Sequence, residues 1–200
     1  MNTVVIAVEG ISDEGAVRSI LRECGLSVGM VQGKGGKSAL LKKLPSYNQA
    51  AKFMPWFVLV DMDSADGCVV ASVREWLPLP EDMMVFRVAV AEIESWLLAD
   101  REAIADFLGI SVSKIPRNPD SLQDPKQEII NLARKSRRRD IREGLVPRPN
   151  SGASVGPTYA SDIRDFGLRL WRPRIAADES PSLARCLQRV EELAITLAGR

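Results

Sequence analysis

Acidic residues cluster where this chain leaves its most apolar runs. "VLVDMDSADG" (58–67) carries Asp61 and Asp63 separated by one residue, with Asp66-Gly67 just beyond. "VVIAVEG" puts Glu9 behind a first apolar run, and "VFRVAVAEIES" puts Glu92 and Glu94 behind a later one. Carboxylates gathered in one place cannot all stay ionised without a counter-charge. A hard divalent cation supplies it, and Mg²⁺ takes oxygen ligands, retained water and substrate phosphates. The chain has no histidine and no clustered cysteine, which points to Mg²⁺ or Mn²⁺ rather than zinc. In extended backbone, residues two apart share a face, so Asp61/Asp63 and Glu92/Glu94 are each expected to act as a pair. Plainer uses compete. An Asp after a strand often caps a helix or makes a turn, the reading given to Asp66-Gly67. Glu92 and Glu94 also suit the acidic first turn of a helix.

Residue types exclude other chemistries. Without histidine there is no Ser-His-Asp or Cys-His nucleophile system and no histidine-ligated zinc. Cys24, Cys68 and Cys186 are odd in number and far apart, so they read as small buried apolar side chains. The formal net charge is +1, so no global field steers the chain to nucleic acid or to an anionic membrane. "VVIAV" is too short to span a bilayer and lacks a signal peptide's basic start, so no membrane partner and a cytoplasmic location are expected.

The acids need elements to position them. "TVVIAV" (3–8) and "WFVLVD" (56–61) are continuous apolar runs of the kind buried on both sheet faces. "LSVGMV" (26–31) and "MMVFRVAV" (83–90) are further strands. Between them lie helices: "SDEGAVRSILREC" with Ser12 as N-cap, "KSALLKKL" (37–44) stopped by Pro45, and "VVASVREWL" (69–77). "EIESWLLADREAIADFLG" (92–109) reads as one helix closed by Gly109, and 124–143 as one helix that turns basic. "GLVPRPNSGASVGP" (144–157) is an exposed loop, followed by two more helical segments. The expected fold class is α/β, a Rossmann-like, mostly parallel sheet with helices on both faces. Residues 1–110 form that core, and 111–200 form a helical C-terminal extension packed on it. In such a sheet, ligands bind beyond the carboxyl ends of the strands, where Glu9, Asp61, Asp63, Glu92 and Glu94 fall.

Two basic stretches invite phosphate readings. "GKGGKS" (33–38) is no P-loop, because Val31 stands where the first glycine belongs. Lys34 and Lys37 either hold a substrate phosphate or line a plain turn. "ARKSRRRDIR" (133–142), with Arg137, Arg138 and Arg139, is either a solvated helix face or a phosphate-positioning surface. Trp96 reads as core in preference to a base-stacking platform.

"VVIAVEGISDE" followed by "VLVDMDSAD" resembles the TOPRIM domain of topoisomerases, primases and OLD-family nucleases, in which Glu-Gly closes the first strand and Asp-x-Asp a later one. "VAVAEIESWLLADREAIADFLG", "DPK" (124–126) and "SPS" (180–182) resemble a TOPRIM-like family of small bacterial proteins often associated with ABC/AAA-type ATPases in phage-defence systems. The resemblance covers nearly the whole chain. It implies that Glu9, Asp61 and Asp63 are catalytic and metal-binding, and that Asp13, Glu92 and Glu94 are further metal-site acids. Lys126 of "DPK" either meets a phosphate or is a surface lysine. Tyr47 and Tyr159 lack a nucleophile's context, which disfavours topoisomerase activity; the lack of a polymerase extension disfavours primase activity. The expected function is a Mg²⁺- or Mn²⁺-dependent nuclease or related phosphoryl-transfer protein acting on DNA or RNA. The alternative is a non-catalytic TOPRIM-like module of an ATPase-containing complex.

Overall fold

A computed structural model of the chain describes residues 2–62 and 68–199. Four strands, β1 (Thr3–Val8), β2 (Ser27–Gly33), β3 (Trp56–Asp61) and β4 (Met84–Ala89), form an all-parallel sheet in the order β2-β1-β3-β4. Alternation builds its two faces. In β3, Phe57 and Leu59 enter one core while Trp56, Val58 and Val60 enter the other. Both faces are covered, so β1 and β3 are the continuous apolar runs expected of a buried parallel sheet. β2 is an edge strand and mostly exposed.

Three helices make the crossovers: α1 (Ile11–Glu23), α2 (Lys37–Ala50) and α3 (Val69–Trp76). The α2 and α3 pair closes one face, where Leu40, Leu44 and Tyr47 pack on β3 and the Tyr47 ring stacks on Trp56 at 4.6 Å. The other face carries α1 and everything after β4: α4 (Ile93–Ala99), α5 (Arg101–Leu108), α6 (Pro125–Arg134), α7 (Arg139–Leu145), α8 (Tyr159–Arg169), α9 (Pro173–Glu179) and α10 (Pro181–Ala198). One apolar cluster runs from Val4 and Ile6 of β1 through Trp96 to Phe166, Leu183 and Val190, so sheet and extension share a core. The α1 and α8 backbones meet at Gly15, where a Cβ would lie 2.1 Å from the Arg164 carbonyl oxygen. No side chain larger than hydrogen fits there.

Four element boundaries differ from the sequence reading. The α2 helix passes through Pro45 to Ala50, because Leu40, Leu44, Tyr47 and Asn48 continue one buried face across it. Gly10, not Ser12, is the N-cap of α1; Ser12 lies inside the first turn. The helix expected over 92–109 breaks at Asp100, whose side chain accepts from Ala103 N and starts α5. The basic helix expected over 124–143 breaks after Arg134, and Ser136 accepts from Arg138 N in the turn. Gly109 does close α5, in the left-handed conformation. Cys186 is buried as expected, whereas Cys68 is exposed.

Candidate functional site

The topology defines a crevice. The chain leaves β1 towards β2 on one side and returns to place β3 on the other, so the strand order reverses between β1 and β3. Ligands of open parallel sheets bind at that point, outside the carboxyl ends. Glu9 follows β1 there and Asp61 ends β3. They touch: Glu9 Oε1 accepts from Asp61 N at 2.9 Å. Asp61 Oδ1 in turn accepts from Ile93 N at 3.0 Å, tying β3 to the start of α4. Asp63 and Asp66 lie outside the described residues.

Glu92 and Glu94 straddle the turn from β4 into α4 rather than lying in one extended segment. Ala91 has φ +63°, a left-handed conformation unusual for a residue with a Cβ. Glu92 is the N-cap, and Glu94 sits in the first turn, fully buried. Glu94 Oε1 accepts from Tyr159 Oη at 3.1 Å, whereas its Oε2 is buried without a hydrogen-bond partner among the described residues. Burial, outweighing the nearby Lys126 ammonium, pushes the Glu94 carboxyl up to about 7, with Glu92 and Asp13 adding repulsion. Burial and the charges of Asp13, Glu94 and Glu9 likewise raise Asp61 well above the usual carboxylate range. Burial and the Glu94 carboxylate keep Tyr159 protonated far above its ordinary range, so it serves as donor.

The remaining acids of the sequence reading are already committed. Asp13 Oδ2 accepts from Gly10 N at 2.8 Å and Oδ1 from Ser12 Oγ at 3.0 Å. It caps α1 and acts on Asp61 through its charge. Glu92 is held from both sides of one residue: Oε2 accepts from Lys126 N at 2.9 Å and Oε1 from Lys126 Nζ at 2.6 Å. Among the described residues, no three Asp, Glu or Cys side chains are arranged as a group that could hold a metal ion.

"DPK" and "SPS" have structural explanations. Asp124 caps α6 by accepting from Gln127 N, Pro125 starts the helix, and Lys126 reaches the crevice, 3.9 Å from Glu94 Oε1. Ser180 caps α10 and donates to Asp120 Oδ1; Ser182 accepts from Trp96 Nε1 at 2.6 Å. Trp96 is thus core, fixed at its polar end.

The basic candidates do not converge on the acids. Arg138 pairs with Asp140 and donates to the Phe107 carbonyl, and Arg139 pairs with Glu143. Arg137 is exposed beside Lys114 and Lys135, at the opposite end of α6 from Lys126. Lys34 pairs with Glu14 at 2.7 Å, and Lys37 lies 4.9 Å over the Trp76 ring. The turn between Lys34 and Lys37, the first residue of α2, does border the crevice, because Gly36 N donates to the Glu9 carbonyl.

Residue-by-residue reading missed the donors. Tyr159, 65 residues from Glu94, and the Ile93 amide complete the acidic cluster, and no local motif marks either. Together these features define an α/β protein with a parallel sheet and an acidic, incompletely neutralised crevice at its topological switch point. No protein-family model, no curated protein and no solved structure matches the chain. Among the described residues, no helix is long and apolar enough to cross a membrane.

Proposed function

We propose that this chain is a Mg²⁺- or Mn²⁺-dependent phosphoryl-transfer protein of the nuclease class, acting on DNA or RNA. The observation that carries the reading is that Glu9, Asp61 and Glu94 come together at the carboxyl ends of β1, β3 and β4, with Glu94 Oε2 buried and unpaired among the described residues. An orphaned buried carboxylate oxygen is costly and calls for a partner, and an all-oxygen donor set suits a hard cation. Asp61, Glu94 and Glu9, with Asp63 on the resemblance alone, would hold it by closing on the ion, since no three described carboxylates form such a group as they stand. The ion would supply Lewis-acid polarisation of a phosphodiester and an activated water.

The chain's own groups prepare that position. The Ile93 amide fixes Asp61 Oδ1, and Tyr159 fixes Glu94 Oε1, while Oε2 has no hydrogen-bond partner among the described residues. Glu9 orients the end of β3 through the Asp61 amide. The turn from Lys34 into α2, which begins at Lys37, borders Glu9 and would offer its two lysines to a substrate phosphate.

The alternative reading, a non-catalytic TOPRIM-like module docking on an ABC/AAA-type ATPase, is favoured by one observation: Asp13 and Glu92 are engaged in capping and ion pairing. A role as a phage-defence effector extends either reading and rests on the resemblance alone.

The test is cleavage of supercoiled plasmid, linear duplex and RNA with and without Mn²⁺. The expected result is divalent-dependent cleavage that Asp61→Asn and Glu9→Gln abolish while both variants keep the wild-type circular dichroism spectrum. Unchanged cleavage by both variants overturns the site. Mn²⁺ binding without cleavage of any substrate favours the docking module.

A further inference from the structure

We propose that Lys126 is the resident counter-cation of the crevice, the group that holds its carboxylates together when no ion is bound. The inference adds to the metal reading but does not need it. Asp13, Glu94 and Glu9 repel the charge of Asp61, and Glu92 and Asp13 repel that of Glu94. Five carboxylates so placed would drive β1, β3 and α4 apart unless offset. Lys126 is the cation that acts on both Asp61 and Glu94, and it pairs directly with Glu92.

Its placement is built rather than incidental. A surface lysine swings freely on a flexible stem. Here the backbone amide and the ammonium group of one residue grip the two oxygens of one carboxylate. Asp124 and Pro125 fix the first turn of α6 that presents them. The ammonium lies 2.6 Å from Glu92 Oε1 and 3.9 Å from Glu94 Oε1, so two carboxylates face it. The extension therefore contributes a positive charge to this rim of the sheet. A divalent cation entering beside Glu94 and Asp61 would meet that positive charge, so Lys126 would also weaken cation binding.

The experiment is thermal unfolding in EDTA of wild type, Lys126→Met, Glu92→Gln and the double variant. Methionine keeps the stem and removes the charge. Lys126→Met is expected to lower Tm by roughly 5–10 °C, since it leaves acids uncompensated. Glu92→Gln in the Lys126→Met background is expected to restore at least about half of that loss, because it removes one of the repelling charges. A merely structural stem would not be rescued in this way. A Lys126→Met protein that melts with wild type, or a double variant that melts no higher than Lys126→Met, overturns the assignment. If Lys126→Met does not accumulate folded, recovery of a folded double variant supports the assignment and its failure overturns it. Mn²⁺ titration by calorimetry separates the two readings. Binding about tenfold tighter in Lys126→Met than in wild type supports both. No Mn²⁺ binding by either protein overturns the metal reading and leaves the EDTA result to decide Lys126.

Discussion

Two fully buried carboxylates, six residues apart on consecutive helices, have opposite fates. Asp100, at the corner between α4 and α5, accepts from Ala103 N and from the Arg172 amide, Nε and Nη2, the last at 2.6 Å. Both of its oxygens are satisfied. Glu94, in α4, has one tyrosine hydroxyl on Oε1, an ammonium group at 3.9 Å and, among the described residues, no hydrogen-bond partner on Oε2. A buried charge with full hydrogen bonding is a structural rivet; one left half-satisfied is a stored cost that folding alone does not explain. The same contrast holds for the backbone. The Asp100 corner is reached with ordinary negative φ, whereas the chain enters the crevice through Ala91 at φ +63°. A left-handed residue and an orphaned carboxylate oxygen thus occur three residues apart after β4, beside the point where the topology expects a ligand.

Breaking the satisfied member should have the largest effect. Asp100→Ala is expected to destabilise the fold by roughly 3 kcal/mol, discounted because the Arg172 side chain is about half exposed and can turn to water. Urea unfolding reads this directly, and a loss below about 1 kcal/mol would mean that the corner does not depend on the pair.

The unsatisfied member predicts a pH dependence of opposite character. The Glu94 carboxyl is raised on folding from 4.5 to about 7. Its contribution to stability is therefore fully present below pH 4.5 and is lost as pH rises through about 7, an effect on the order of 2–3 kcal/mol. Asp61, also raised, acts in the same direction. In EDTA, Glu94→Gln should flatten this decline, so the variant gains on wild type as pH rises from acid to neutral. Parallel stability curves for the two proteins would show that Glu94 finds a partner for its charge.

The smallest effect sharpens the backbone half of the contrast. Ala91→Gly removes the Cβ from a left-handed position and should stabilise the fold by roughly 0.5–1 kcal/mol. The same change in cleavage assays would show whether that strain also positions Glu92 and Glu94. A destabilised variant would mean that the turn is held by contacts of the Ala91 methyl group.

Much of the scaffold was legible in the residues themselves. The β-branched runs at 3–8 and 56–61 coincide with β1 and β3, because a strand buried on both faces needs continuous apolar residues whatever surrounds it. Glu9 and Asp61 were legible as crevice residues for the same reason: they are the first acids after those runs, and parallel strands bring their carboxyl ends to one rim. The helix breaks were not. A break at Asp100 inside a strongly helical pattern is stable only because Arg172, 72 residues later, satisfies it. Likewise, Pro45 does not stop α2, because the buried face on either side of it outweighs the lost amide.

The chain's local pattern determined a parallel α/β sheet with acids at its carboxyl rim, since periodicity and residue type act over a few neighbouring positions. Only the tertiary structure decided which acids are capped, which are paired and which is left open. Asp13 turned inward to cap α1, Glu92 was taken by Lys126 from 34 residues away, and Glu94 was buried beneath Tyr159 with one oxygen unpaired. Those assignments depend on where the packed helices bring distant side chains, and a lysine or tyrosine reads the same in sequence whether it faces water or a buried carboxylate.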